Sequence, residues 1–180
     1  MAITADHIRT TLNSYLDEHP EGKSGLAIAL DLLDAGADLS SRKEFRGHAT
    51  AGAILVGPDG RILHIHHLAT GKWLLPGGHL ESTDSSLLEA ARRELAEETG
   101  ILADTVTPAG DAPVHIDIHP IDANAAKAEP DHQHIDFRFL FRTEAEVGLL
   151  QTEEVIDAAW RDLDSISDPN LQGRIAQVLH

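Results

Sequence analysis

Three glutamates, Glu94, Glu97 and Glu98, stand at i, i+3 and i+4 in a stretch whose apolar residues Leu87, Leu88, Ala91 and Leu95 recur with helical period. On a helix the three carboxylates therefore share one face. Like charges at that spacing cost each pair roughly 0.2–0.5 kcal/mol, and the last helical turn, where they fall, disfavours anions. Stability alone does not select such a cluster. A divalent cation reverses the sign, because hard cations take several oxygen ligands and neutralise the carboxylates. Just upstream, Gly77 and Gly78 let backbone carbonyls and amides approach a metal or a phosphate closely. Arg93 lies four residues after Glu89 and four before Glu97, placed to orient carboxylates. The plain alternative is a solvated acidic helix; the Pro76-Gly77-Gly78 lead-in and the Gly100-Ile101 exit argue against it.

The elements that must position these residues follow from pattern and punctuation. Ser86 with Glu89 three residues on makes a capping box, and Gly100 suits the residue after the helix end, so the acidic helix is predicted over 86–99. Trp73-Leu74-Leu75 reads as a short strand feeding Pro76-Gly77-Gly78. Ala51–Val56, the turn Pro58-Asp59-Gly60 and Arg61–His67 read as a hairpin. Val114–Ile118, Ile135–Phe141 and Val155–Trp160 are further strands, with Pro120–His132 a loop and Leu171–Leu179 a last helix. In the first 45 residues, Ile8, Leu12, Tyr15 and Leu16 recur as on a helix that ends at His19-Pro20. Ser24 is expected to cap a second helix, Leu26–Leu33. The mixture predicts an α/β/α layered domain over 46–180, preceded by a helical arm over 1–45.

Composition bounds the chemistry. With 180 residues, 42% apolar and 24% charged, the chain supports one well-filled domain. The formal charge of −16 repels a nucleic-acid polymer but allows a small phosphorylated substrate if divalent cations stand between it and the carboxylates. The absence of cysteine excludes disulfides, thiolate metal sites and a cysteine nucleophile. No run is long enough for a membrane helix, and Met1-Ala2-Ile3-Thr4-Ala5-Asp6-His7 lacks the pattern of a secretory signal, so a cytoplasmic protein is expected.

The segment from Gly78 to Ile101 resembles the Nudix box, G-x(5)-E-x(7)-R-E-U-x-E-E-x-G-U, with U aliphatic. Arg93-Glu94-Leu95-Ala96-Glu97-Glu98-Thr99-Gly100-Ile101 matches its second half at every defined position, and the likeness extends over about Gly47 to Asp164. The first half runs one residue long: Ser85 stands where a glutamate is expected, with Asp84 beside it and Glu81 nearby. An extra residue in a loop costs little, so this reads as a loop variant with an intact helix. The resemblance implies a Nudix-like sandwich with a mixed sheet, a magnesium or manganese ion, and hydrolysis of the diphosphate linkage of a nucleoside diphosphate joined to another group. It assigns Glu97 and Glu98 as metal ligands, Glu94 as a further ligand or the base that orients water, Arg93 as part of the catalytic set, and the Gly77 carbonyl as an additional ligand.

Candidate substrate contacts are Trp73, which could stack on a base though its place favours the core, and Gly78, Arg46, His134 and Arg138. Arg46 and His48 read more simply as a surface pair. His64 and His66 share a strand face, with His67 opposite, and His132 and His134 repeat the spacing; zinc is conceivable there, but pocket-lining or surface histidines are the plainer reading. Glu144, Glu146, Glu153 and Glu154 read as surface, although a late loop glutamate could join the metal site. Competing readings are a nucleotide sensor of the same fold, an isomerase, disfavoured by the missing cysteine, and a structural acidic domain. Substrate identity lies in loops and in the arm, which is placed to cover the site or to form a homodimer contact.

Overall fold

The computed structural model describes residues 2–145 and 155–179. Four helices, α1 (Ala5–Glu18), α2 (Ala27–Asp34), α3 (Leu87–Thr99) and α4 (Pro169–Leu179), surround a mixed sheet. Its strands are β1 (His48–Val56), β2 (Ile62–His67), β3 (Lys72–Leu74), β4 (Gly77–His79), β5 (Val106–Pro108), β6 (His115–Ile121), β7 (His132–Thr143) and β8 (Val155–Arg161). The layered α/β architecture is the one expected.

Strand β1 is the spine. All nine of its residues are buried, and it runs parallel to β7 from His48↔His134 to Val56↔Arg142. Alternation sends Ala51, Ala53 and Leu55 to one core with Leu87, Ala90, Ala91 and Leu95 of α3, and with Phe137, Phe139 and Phe141 of β7. Ile54 and Val56 go to the other core, with Leu140 and with Leu171 and Ile175 of α4. A helix therefore covers each face, which is why β1 reads as a continuous small-apolar run.

The predicted hairpin forms, but β1 and β2 pair only at its base, Val56↔Ile62. Beyond it β1 takes β7 and β4 as neighbours while β2 takes β3 and β8. The cleft described below lies where they part.

Three local expectations are corrected. Ser24 does not cap α2: Pro20–Ser24 is a 3-10 turn started by Pro20, and α2 begins after Leu26 without a side-chain cap. The stretch 120–132 is not wholly loop, because β6 extends to Ile121 against the long edge of β7 and Asn124 caps a turn at Ala125–Lys127. Strands β4 and β5, three residues each, carry no sequence signal; β4 is held by backbone pairing of Gly77 and Gly78 with Gly52 and Ala51. In the N-terminal region Ile8, Leu12, Tyr15, Ala29 and Leu33 join the same core as α3. Among the late acidic residues Glu144 is exposed; Glu146, Glu153 and Glu154 lie outside the described residues.

Candidate active site

The ends of α3 are defined by the residues expected to define them. Ser86 is extended and its Oγ accepts the Glu89 N–H at 3.2 Å. Gly100 adopts the left-handed conformation, φ 68°, and its N–H reaches the Ala96 carbonyl. Between these caps Glu94, Glu97 and Glu98 emerge beside β4. Glu98 is only 6% exposed, and its Oε2 accepts the Gly77 N–H at 2.8 Å. Glu94 is half-buried under Gly78, so closely that a Cβ on Gly78 would stand 2.7 Å from Glu94 Oε1. A Cβ on Gly77 would stand 2.8 Å from the Ala51 carbonyl oxygen. Space, more than backbone freedom, requires both glycines.

Arg93 joins the loop to the helix. It donates from Nε to Asp84 Oδ1 and from Nη2 to Asp84 Oδ2, at 2.9 Å each, and from Nη1 to Glu94 at 3.0 Å and Glu97 at 2.9 Å. Nη2 also donates to the His79 carbonyl at 2.9 Å. Glu89 pairs instead with Arg92, at 3.3 Å. Asp84 is buried and Ser85 exposed, so the acid that meets Arg93 is Asp84. Burial pushes the Asp84 carboxyl up, but the Arg93 fork and the Glu81 amide outweigh it and hold it below its ordinary range. Glu94 goes the other way: burial pushes it up to about 7, Arg93 opposes this only in part, and Glu97 adds to the rise.

That imbalance tests whether a cation suits the site. One guanidinium serves Asp84, Glu94 and Glu97, leaving the half-buried Glu94 carboxyl short of positive charge. The donors are carboxylate oxygens, the set that hard divalent cations prefer. Magnesium or manganese fits these residues.

The helix face opens on a cleft of about 1300 Å³. Of the expected substrate contacts, Trp73, Gly78, His134 and Arg138 line it. Arg46 does not line it: its guanidinium turns back to Glu44 two residues away, at 2.7 and 2.9 Å, whereas Arg42, bonded to Glu129 at 2.9 Å, is on the wall. The Trp73 ring stacks on His66, 5.0 Å between centroids, and carries the Arg161 guanidinium 4.2 Å above it. Of the three β2 histidines, His64 and His67 line the cleft and His66 does not; the pairing with β8 shifts between His66 and His67, where β8 carries the extra residue Ile156. On the far wall Arg138 donates to Asp136 at 2.8 Å and approaches Asp117 at 3.7 Å. His48, expected at the surface, is 1% exposed; it packs against His79, His132 and His134. Burial pushes His79 down to about 4 and His134 to about 3. This grouping comes from strand register, which single-residue patterns do not encode.

A NUDIX domain family model matches residues 46–180. The "Probable DHNTP pyrophosphohydrolase" of Lactococcus lactis subsp. cremoris is 35% identical over 129 residues, 69% of this chain and 72% of that one. "Phosphatase NudJ" of Escherichia coli K12 is 48% identical over 61 residues, 33% of this chain and 39% of that one. Among solved structures, a NUDIX-family hydrolase from Clostridium perfringens superimposes with a TM-score of 0.55 over 73% of this chain and 95% of that one, at 22% identity. MutT protein from Methanosarcina mazei Go1 does so with a TM-score of 0.50 over 73% and 92%, at 25% identity. The chain belongs to the NUDIX family and is a hydrolase of that type.

Proposed function

We propose that the chain hydrolyses the diphosphate linkage of a nucleoside diphosphate joined to another group, with magnesium or manganese held by Glu94, Glu97, Glu98 and the Gly77 carbonyl. The observation that carries this reading is the contact between loop and helix: the Gly77 N–H fixes Glu98 at 2.8 Å while Gly78 leaves room for the half-buried Glu94 carboxylate. When bound, the cation supplies Lewis acidity, neutralising phosphate oxygens and acidifying water.

The remaining work falls to the chain. Arg93 holds Glu94 and Glu97 at set positions and fastens them through Asp84 to the loop, so the acidic face is organised before substrate arrives. Trp73, Arg138 and His134 lie along the cleft to receive the rest of the substrate. Its volume of about 1300 Å³ suits a nucleotide-sized ligand. The acidic surface requires that the phosphates enter with their cation. No described helix is long and apolar enough to cross a membrane, and action on a small molecule in the cytoplasm is consistent with that.

Phosphate release, coupled to a phosphatase, from a panel of dinucleoside polyphosphates, nucleotide sugars, ADP-ribose, nucleoside triphosphates and dihydroneopterin triphosphate tests the reading in magnesium and in manganese. Metal-dependent turnover that Glu98→Gln loses supports it and identifies the substrate. Nucleotide binding by calorimetry without turnover on any compound would sink it and favour a sensor.

A further inference from the structure

We propose that His48, His79 and His134 form a second metal site, one of nitrogen donors for a borderline transition cation such as zinc, distinct from the carboxylate set of α3. The three rings come from three strands. His48 and His134 are register partners on β1 and β7, and His79, on β4, pairs with Thr50 two residues along β1. One ligand nitrogen from each ring lies within 4.8 Å of the other two. A tetrahedral ion with metal–nitrogen bonds of about 2.0–2.1 Å spaces its ligand nitrogens roughly 3.3–3.4 Å apart. Closing by about 1.5 Å at most, through rotation of the partly exposed His79 and His134 side chains, completes the site.

His48 supplies the independent observation. Its Nδ1 lies 3.3 Å from the Glu44 carbonyl. A carbonyl only accepts, so Nδ1 carries the proton and Nε2 presents a lone pair. That Nε2 is buried and meets no hydrogen-bond partner among the described residues. Native interiors rarely leave a buried acceptor so. A histidine whose one nitrogen donates to a backbone carbonyl while the other is bare is arranged as metal-ligating histidines are. His132 repeats the device, its Nδ1 donating to the Pro130 carbonyl at 2.8 Å, so its Nε2 accepts from His134 Nε2 at 3.3 Å and the lone pair of His134 lies on Nδ1.

Imidazole donors select zinc and its transition-metal neighbours over magnesium, while carboxylates do the reverse, so the two sites are separable by metal. The consequence of occupancy is structural. His79 follows Gly78, and its carbonyl accepts from Arg93. An ion on His79 therefore ties the glycine loop to β1 and β7, in the same cleft as the glutamates, and stabilises the folded chain.

The test is metal binding by the full chain, stripped with chelator. Zinc is titrated by calorimetry in millimolar magnesium, and cobalt by visible absorbance, for wild type, Glu98→Gln, His79→Gln and His134→Gln, with circular dichroism to confirm folding. Expected is one zinc equivalent in wild type and Glu98→Gln, weakened about tenfold or more in each histidine variant, with a raised melting temperature in the zinc-bound wild type. Intense visible bands from cobalt should survive Glu98→Gln. The proposal is overturned if wild type takes up no zinc in magnesium, if Glu98→Gln alone abolishes uptake, or if both histidine variants bind as wild type does. Should the histidine variants not fold, the cobalt spectra of wild type and Glu98→Gln decide, and absence of the bands overturns it. None of these readouts depends on phosphate hydrolysis.

Discussion

Arg93 grips Asp84 side-on with one edge of its guanidinium, Nε to Oδ1 and Nη2 to Oδ2, each at 2.9 Å. The relationship resolves the irregular half of the box. The residue aligned with the expected glutamate, Ser85, is exposed, and the acid one place earlier is buried against the arginine. The extra residue shifts which position delivers the carboxylate without removing it. A forked arginine–carboxylate pair fixes orientation as well as distance. Here the orientation fixed is that of Glu94 and Glu97.

Asp84→Asn keeps the shape but removes the charge. Hydrogen bonds to a charged group contribute about 1.5–3 kcal/mol, so the melting temperature should fall measurably and turnover should drop about tenfold or more as Glu94 and Glu97 lose alignment. Adding Ser85→Glu to that variant should restore neither, because position 85 faces solvent. Rescue by Ser85→Glu would mean that the loop can re-register.

Glu94→Gln should lower turnover on the order of 10²–10⁴-fold, and leave folding intact or improved, since it removes a half-buried carboxyl that its surroundings already push up to about 7. Steady-state kinetics beside a thermal melt separate the two. A large fall in melting temperature would show that the carboxylate holds the fold and not only the chemistry.

Gly78→Ala places a methyl 2.7 Å from Glu94 Oε1 and should displace that carboxylate, cutting activity while the strand pairing of β4 persists. Gly173→Ala is the contrasting case. A Cβ there meets nothing within 4 Å in α4, so the change should stabilise by about 0.4–1 kcal/mol at unchanged activity. Denaturant melts of both variants, with activity, check the pair.

The half-buried histidines His79 and His134 set a pH dependence for the metal-free protein. His79 and His134 have folded pKa values of about 4 and about 3, below the ordinary 6.5, because burial penalises their charged forms. Below pH 6.5 the unfolded chain therefore binds protons that the folded chain does not. Stability falls as pH drops below 6.5, until about pH 4 for His79 and about pH 3 for His134, by at most roughly 1.4 kcal/mol per pH unit for each ring. In chelator, the melting temperature of His79→Gln should fall less steeply than that of wild type over pH 7 to 5. Equal slopes would remove His79 from the account.

What the sequence determined by itself is local. Helical spacing put Glu94, Glu97 and Glu98 on one face of α3, Ser86 and Gly100 set that helix's ends, and Pro76-Gly77-Gly78 marked the close-approach loop, because caps, periodicity and glycine act over a few residues. The tertiary structure decided what depends on distant partners. It chose Asp84 over Ser85 for Arg93, turned Arg46 away from the cleft and brought Arg42 to it, and added β4 through backbone bonds that glycine's poor strand preference conceals. Above all it aligned His48 with His134, 86 positions apart, in the parallel register of β1 and β7. Which residues of two strands face each other is set by where both bury their apolar sides, and that is a property of the assembled core, not of either strand alone.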